Sequence, residues 1–503
     1  MGYKIVLTCD RTMASNYHGN MFFGFSACLP RGKLPDWFYY PVFCPSGPSD
    51  EDGRLLYANY GTRKIEAALL AGGFHRHEVI LAHPDHLDKV ISKETKILGI
   101  SANDPLGIGP ATSTFVELWG GEGRMAVKLR ELLNHPSVRK HKPVIVLGGP
   151  GSWQLDVYPE KRKELGIDCV VIGDGEVTAP ELFRQVVEAD KKLPEVVKGE
   201  TALEKDIADI VGGTIVGLIE ATRGCARSCA FCVPSLKKVR SRPLENIINE
   251  VNVNVASGQK GVILHGEDIL LYQSDGLKVN SAAVIDLFDK VYGVPGVKWV
   301  SASHASLSSA MSSPETVEGI SRVLELGTEK HPTKAMQVGV ETGSPRLIRR
   351  HMKGKVYPFQ PHEWPDVVHG AFRLMHENHI VCCSTIILGL PGEEQADVQM
   401  TIDLIKRLRP YQSLVVPLLF TPMETTRLEY AAQFRKSDLK PKHYELLHTC
   451  WNHNLHWFPV LWKNYGRENS LWIKAIMKIF LSGGTGILRR HLKRHAIKNG
   501  AII

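Results

Sequence analysis

The chain has 503 residues and a formal charge of +8 at neutral pH, with 43% hydrophobic and 23% charged residues, the composition of an ordinary soluble globular protein. That length suggests about two to four domains. No uninterrupted apolar stretch reaches about 18 residues, so no transmembrane helix is expected. The one dense basic cluster, Arg489, Arg490, Lys493 and Arg494, reads as a solvated tail helix rather than a nucleic-acid surface.

Met1 to Asp10 is a short apolar run that enters polar chain at once, unlike a signal peptide, so the ten cysteines are expected reduced in a cytoplasmic setting. From there to about residue 195, short apolar runs alternate with longer helical patterns. The runs are Lys4 to Thr8, His77 to Ala82, Ile97 to Ser101, Val144 to Leu147 and Cys169 to Ile172. This rhythm predicts an α/β domain, 1–195, with a Rossmann-like, doubly wound parallel sheet. Ile65, Ala68, Leu69 and Ala71 mark a helix between the first two runs, stopped by glycines. Ligands of such sheets sit beyond the carboxyl ends of the strands. Three successive runs end there in informative loops: Ser101-Ala102-Asn103-Asp104, Gly148-Gly149-Pro150-Gly151, and Gly173-Asp174-Gly175-Glu176. Glycines let backbone amides approach a bulky ligand closely; the bland alternative is that each merely turns the chain. Residues 11 to 60, with Cys28, Cys44 and the soft stretch Cys44 to Gly53, read as a surface loop or a substrate lid.

Asp190 to Asp206 is charged, contains Pro194 and reads as a linker. A second domain, 205–430, has six strand candidates: Ile215 to Ile219, Val262 to His265, Trp299 to Ser301, Met336 to Val340, Ser384 to Leu388 and Ser413 to Leu419. Helical patterns at Leu244 to Val255, Ala282 to Val291 and Trp364 to His376 separate them, which predicts a partial (β/α)6 barrel with reactive groups at its carboxyl strand ends. Directly after the first strand, Cys225, Cys229 and Cys232 stand at the spacing CxxxCxxC. Four cysteines close a [4Fe–4S] cube, whereas three leave one iron open to a small molecule. Buried thiols, or a three-cysteine zinc site with a distant fourth ligand, are the alternatives. Cys382 and Cys383, just ahead of the fifth strand, read as core thiols.

The remainder, 431–503, reads as a helical segment with helices at Lys442 to Trp462, Ser470 to Leu481 and Gly486 to Lys498, and a glycine turn at Gly483, Gly484 and Gly486. The first is dense in His448, Trp451, His453, His456 and Trp457, more consistent with core than with a substrate pocket. Trp472, Ile473, Ile476, Ile479 and Phe480 form an apolar face expected to pack on the barrel rather than on a membrane.

The cysteine triplet, with Phe231 before its last member, resembles the signature of the radical S-adenosylmethionine (SAM) superfamily, and the likeness covers about residues 60 to 430. It implies that Cys225, Cys229 and Cys232 hold a [4Fe–4S] cluster whose free iron is chelated by SAM. His265-Gly266-Glu267 resembles the motif that meets the SAM ammonium, Glu341-Thr342 the ribose segment, and Gly389-Leu390 the adenine-side loop. Pro422 to Thr426 is a weaker match, with Glu424 in place of the usual glycine. Taken singly, Glu267 or Glu341 reads as a helix-start residue or a surface ion pair.

The first domain resembles the cobalamin-binding domain that precedes the barrel in one large subgroup, which implies cobalamin contacts from Ser101, Asn103, Asp104, Gly148, Gly149, Gly151, Gly173, Gly175 and Glu176. The Asp-x-His-x-x-Gly motif of histidine-ligated cobalamin proteins is absent; Asp85-His86-Leu87-Asp88 lacks the spacing and the glycine. Base-off cobalamin without a histidine below cobalt is therefore expected, its lower face covered by Ser101 to Ser113.

The implied reaction is methylation of an unactivated carbon through a 5′-deoxyadenosyl radical and methylcobalamin, although some members of the subgroup close rings or rearrange skeletons. Segments Tyr60 to Leu70 and His265 to Tyr272 are similar to an archaeal branch whose methanogen members methylate side chains of methyl-coenzyme M reductase, including a glutamine. That implies a protein or peptide substrate, the α subunit of that reductase, and a ferredoxin or flavodoxin as electron donor, with no membrane or nucleic-acid partner. A methylthiotransferase with a second cluster on Cys9, Cys28 and Cys44 is the rival. The neighbours of those cysteines do not match that family, however, and the helical C-terminus is unlike its small β domain. A cobalamin or redox sensor is the non-enzymatic alternative.

Overall fold

The computed structural model describes residues 2–19, 24–189, 191–465, 471–479, 481, 483 and 485–502. The chain divides into two compact units, one of residues 1–219, 242–262 and 294–297, the other of residues 220–241, 263–293 and 298–503.

The first unit is built on a six-stranded sheet. Its strands are β1 (Ile5–Cys9), β2 (Val79–Leu81), β3 (Ile97–Ser101), β4 (Val144–Gly148), β5 (Cys169–Ile172) and β6 (Val196–Lys198). Their order is β2-β1-β3-β4-β5-β6, and every pairing is parallel, with Ile5 opposite both Val79 and Ile97. Parallel strands are covered on both faces, so they read as continuous apolar runs. Accordingly Ile5, Leu7 and Cys9 enter one buried cluster, with Leu69, Leu182 and Phe183 of the helices Tyr60–Ala71 and Thr178–Ala189. Val6 enters the opposite cluster, with Leu129, Leu132 and Leu133 of the helix Arg124–Leu133. The expected linker contains β6, an edge strand that pairs with β5 through Val170 and Val196. Only one edge of it is bonded, so its flanks are free to be charged. Asp190, the first residue of that linker, lies outside the described residues. Residues 11–60 are more ordered than a surface loop: they include a helix, Asp36–Phe43, and a two-residue antiparallel pairing of Pro30–Arg31 with Glu122–Gly123. Buried Glu250 of the helix Leu244–Ala256 accepts from Lys64 Nζ (2.6 Å), Tyr60 Oη (2.9 Å) and Arg242 (3.2 Å), which groups that helix with the first unit.

Among the described residues, six barrel strands form two three-stranded sheets. They are β7 (Leu218–Glu220), β8 (Gly261–His265) and β9 (Trp299–Ala302), then β10 (Lys334–Glu341), β11 (Ile380–Leu388) and β12 (Ser413–Leu419). A parallel bridge between His304 and Gln337 links the two sheets. Two expectations need correction. Ile215 to Ile219 is not one strand: Ile215–Gly217 forms a 3₁₀ turn, with Val216 at φ 52° and Gly217 at φ 66°, before β7 starts. A β-carbon at Gly217 would stand 2.0 Å from the Gly261 carbonyl, so only glycine permits this turn. Cys382 and Cys383 lie inside β11 rather than ahead of it, both buried.

Among the described residues three helices follow, Pro441–Tyr465, Leu471–Ile479 and Thr485–Lys498. The first covers the exposed edge of β12: Asn454 accepts from Val415 N and donates to Val415 O, both at 2.8 Å, while buried His453 shares a hydrogen bond with Ser413. Trp451 and Trp457 are half-buried and His456 is exposed, so that cluster is core on one side only. Ile473 is buried and Trp472 half-exposed. Ser470, Phe480 and Gly484 lie outside the described residues, as do the side chains of Ile476 and Ile479. Among the described residues no helix is long and apolar enough to cross a membrane.

Candidate functional site

The second unit gathers its chemistry at the carboxyl ends of the barrel strands. After β7 the chain pairs Thr222–Arg223 with Arg240–Ser241 and turns through left-handed Gly224, Ala226 and Ser228, which brings Cys225, Cys229 and Cys232 into one loop. Backbone bonds hold the loop: Ala230 N to His351 O (2.8 Å), Ser228 N to Ser235 O (2.8 Å), and the Ser235 hydroxyl to the carbonyls of Cys229 (3.0 Å) and Cys232 (2.7 Å). Phe231 is half-buried beside them. All three thiols are free. Burial pushes Cys225 up to about 11 and Cys229 to about 12, and raises Cys232 as well. Bare thiolates are therefore costly here and need a cation to bind them. Among the described residues no three His, Cys, Asp or Glu side chains converge on a single ion. Cysteines of a four-iron cube each bind a different iron, so the donor set of three soft thiols on one loop fits a cluster with one open iron.

At the end of β8, a β-carbon on Gly266 would lie 2.1 Å from Thr222 Oγ1, which requires glycine. Next to it, Glu267 Oε2 is buried with no hydrogen-bond partner. A buried carboxylate oxygen left without a partner fits a cationic ligand such as the ammonium of SAM. His265 Nδ1 and His304 Nδ1 meet the Ser303 hydroxyl at 2.9 and 3.0 Å.

At the end of β10 the register shifts at Gly339/Glu341, and Glu341 adopts φ 63°. The bulge re-aims its carboxylate to accept from Lys355 Nζ at 3.0 Å. Thr342, by contrast, is spent on the loop itself, its hydroxyl bonded to Thr401 (3.2 Å) and Ser344 N (3.1 Å). Beyond β11, Gly389 at φ 81° donates to Glu393 Oε1 (2.9 Å), and Leu390 is buried. In the segment after β12, Arg427 reaches back to the Ser228 hydroxyl in the cysteine loop.

Spacing did not reveal three groups. Arg227, inside the cysteine loop, is buried against Asp268 (3.1 Å), Lys355 meets Glu341 at 3.0 Å, and His443 meets Glu393 at 3.0 Å. The signals were present, since Arg227 lies between two cysteines and Asp268 follows Glu267, but their partners are remote in the chain.

In the first unit, the strand order reverses direction between β1 and β3, the switch point at which doubly wound sheets take ligands. Asp10 follows β1, buried and raised above the usual carboxylate range by that burial. Across the switch point, Asp104 Oδ1 accepts from Gly109 N (3.0 Å) and Gln154 Nε2 (2.7 Å), while its Oδ2 is buried without a partner. Ser101 is half-buried and Asn103 exposed. Gly151 is buried, donating to the Ala102 carbonyl at 2.9 Å; a β-carbon there would be 2.4 Å from the Asn103 carbonyl. Gly149 and Gly173, both at φ 96°, present exposed backbone, with Gly148, Gly175 and Glu176 half-buried beside them. His83 just past β2 is occupied, since its Nε2 meets Ser46 (2.9 Å) and its Nδ1 accepts from Asp85 N (3.1 Å).

Residues 219–405 match the Radical SAM superfamily. Among similar proteins, one from Methanocaldococcus jannaschii named as a methylthiotransferase is 24% identical over 67% of this chain and 71% of its own length. A tRNA-2-methylthio-N(6)-dimethylallyladenosine synthase of Bacteroides thetaiotaomicron is 28% identical, over 54% and 57%. A ribosomal protein uS12 methylthiotransferase of Moorella thermoacetica is 27% identical, over 53% and 57%. For the last two, the alignment spans little more than half of the relative. In fold, the chain is similar to the radical SAM methyltransferase TsrM from Kitasatospora setae, solved with cobalamin and a [4Fe–4S] cluster bound. The TM-score is 0.51 at 14% identity, covering 85% of this chain and 77% of the other. Residues 219–405 therefore form a radical SAM domain, the kind that binds a [4Fe–4S] cluster and SAM in an enzyme.

Proposed function

We propose that this radical SAM enzyme is a cobalamin-dependent methyltransferase acting on an unactivated carbon of a protein side chain. The observation that carries the reading is the six-stranded parallel sheet of the first unit, whose switch point has Asp10 and Asp104 on its two sides and exposed glycine backbone on the neighbouring strand ends. The fold shared with TsrM over 85% of the chain supports it. When bound, the three groups supply a carbon-centred radical and a methyl group; this chain holds and orients them. Cys225, Cys229 and Cys232 hold the cluster. Glu267 meets the SAM ammonium, Glu341 lies on the ribose side, and Gly389-Leu390 on the adenine side. Ser101, Asn103, Asp104, Gly148, Gly149, Gly151, Gly173, Gly175 and Glu176 line the corrinoid. Both nitrogens of His83 are engaged, which supports a corrinoid without a histidine below cobalt.

The finer reading is C-methylation of a glutamine in the α subunit of methyl-coenzyme M reductase, with a cytoplasmic ferredoxin or flavodoxin as electron donor. It rests on the likeness of residues 60–70 and 265–272 to an archaeal branch. Incubating the reconstituted protein with SAM bearing a deuterated methyl, a low-potential reductant and a glutamine-containing peptide of the reductase tests it. Mass spectrometry should find one labelled methyl on carbon. Cleavage of SAM with an unchanged peptide removes this substrate.

Methylthio transfer remains the second reading, because the similar proteins named above carry that activity in their names. Against it, one of the three thiols proposed for a second cluster is engaged elsewhere: Cys44 meets the Tyr17 hydroxyl at 3.7 Å. A peptide or RNA product that gained sulfur along with the methyl group would favour it.

A further inference from the structure

Beyond the residues proposed to hold cluster and SAM, one half-buried cation sits beside the cysteine loop. Lys355 closes the 3₁₀ turn Lys353–Lys355, and its side chain is 13% exposed. Among the described residues, the hydrogen-bond acceptor on its ammonium is Glu341 Oε1. Gly339 leaves room for the pair, since a β-carbon there would stand 2.0 Å from Glu341 Oε1 and 2.5 Å from Lys355 Nζ. The segment that carries Lys355 packs on the cysteine loop: Ala230 N donates to the His351 carbonyl at 2.8 Å, and a β-carbon at Gly354 would stand 2.2 Å from the Arg227 carbonyl.

The backbone of Lys355 is fixed by the cysteine loop itself. Arg227 donates to the carbonyls of Gly354 (3.3 Å), Lys355 (3.2 Å) and Tyr357 (3.4 Å), and the Ser308 hydroxyl donates to the Lys355 carbonyl (2.6 Å). Arg227 is itself neutralised by buried Asp268. The two cations thus divide the work. Arg227 is consumed by backbone carbonyls and one carboxylate, whereas among the described residues Lys355 makes a single ion pair, with Glu341.

We propose that Lys355 is a positioning residue for electron uptake, whose fixed charge beside the three-cysteine loop makes the cluster easier to reduce. The inference rests on the radical SAM reading of that loop. Net charge and solvent exposure set the potential of an iron–sulfur cluster. Reduction adds one electron from an external low-potential donor, breaks no bond and leaves the centre one charge more negative. In a poorly solvated site, a nearby ammonium offsets that charge.

The test compares wild type, Lys355→Met and Lys355→Arg after anaerobic reconstitution. It reads iron content first, then the cluster's midpoint potential by a mediated titration followed by electron paramagnetic resonance. All three should hold the cluster, with K355M shifted to more negative potential and K355R close to wild type. Should K355M fail to hold iron while K355R holds it, Lys355 builds the loop rather than tuning the cluster, and the proposal is overturned. Equal potentials in all three proteins, or the same shift or loss in K355R as in K355M, overturns the proposal. A wild-type protein that binds no cluster overturns the radical SAM reading instead, so the two failures are distinct.

Discussion

His443, on the helix that follows the barrel, meets Glu393 Oε1 at 3.0 Å, and the same carboxylate oxygen accepts the Gly389 amide at 2.9 Å. The C-terminal helix therefore braces the loop assigned to the adenine side of SAM. Phe434 completes the brace, because a β-carbon on Gly389 would stand 1.9 Å from its ring. Replacing His443 by Ala leaves one side of a buried carboxylate unpaired. It should lower unfolding stability by about 1–3 kcal/mol and weaken SAM binding several-fold, measured by urea unfolding and equilibrium dialysis. Unchanged SAM affinity would mean the helix packs there without supporting the site.

Glu267 calls for the opposite signature. Its buried Oε2 has no partner, so the neutral isostere Glu267→Gln should leave stability unchanged or raise it. SAM affinity should nonetheless fall about tenfold or more, since a charge-assisted hydrogen bond contributes roughly 1.5–3 kcal/mol. Loss of stability together with affinity would assign the residue to the scaffold.

Arg227 and Asp268 form a buried pair at 3.1 Å, with side chains 3% and 1% exposed. Arg227→Met strands a buried carboxylate and should cost about 3–5 kcal/mol in denaturant unfolding, with loss of reconstituted iron because the cysteine loop loses its anchor. Asp268→Asn, which keeps a side-chain acceptor for Ser306 N, should cost less.

His83 and His453 give the fold an acid limit. Both are 1% exposed, and burial lowers each from 6.5 to about 4. The unfolded chain therefore binds protons that the folded chain does not, between those two values. Stability is full above pH 6.5 and falls as pH drops through that window, by about 2 kcal/mol per histidine at pH 5. Urea unfolding at pH 7.5 and pH 5 measures the loss, and His453→Gln should lessen it by about 2 kcal/mol, the share of one histidine. An identical slope in that variant would place the titration elsewhere.

Most barrel and sheet strands were legible because parallel strands buried on both faces give unbroken runs such as Ile97 to Ser101. The cysteine loop was legible because its three thiols are close in sequence. Misreadings fell where local and long-range demands diverge. Ile215 to Ile219 has the composition of a strand, yet the approach of Gly217 to Gly261 turns its first half. Val196–Lys198 is short and charged at its flanks, and only its pairing with β5 makes it a strand. The helix Asp36–Phe43 contains Pro41, which masked its pattern. In the site, Glu341 was readable from its motif, but Lys355 was not. Fourteen residues separate the pair, and their meeting depends on the bulge at Gly339 and on Arg227 fixing the turn.

The most direct measurement is anaerobic reconstitution of the chain with iron, sulfide and hydroxocobalamin, followed by quantitation of iron and corrinoid on the desalted protein. The account predicts about four irons and one corrinoid per chain, since three thiolates hold one four-iron cube. Iron without corrinoid would contradict it, and about eight irons would point to a second cluster and methylthio transfer.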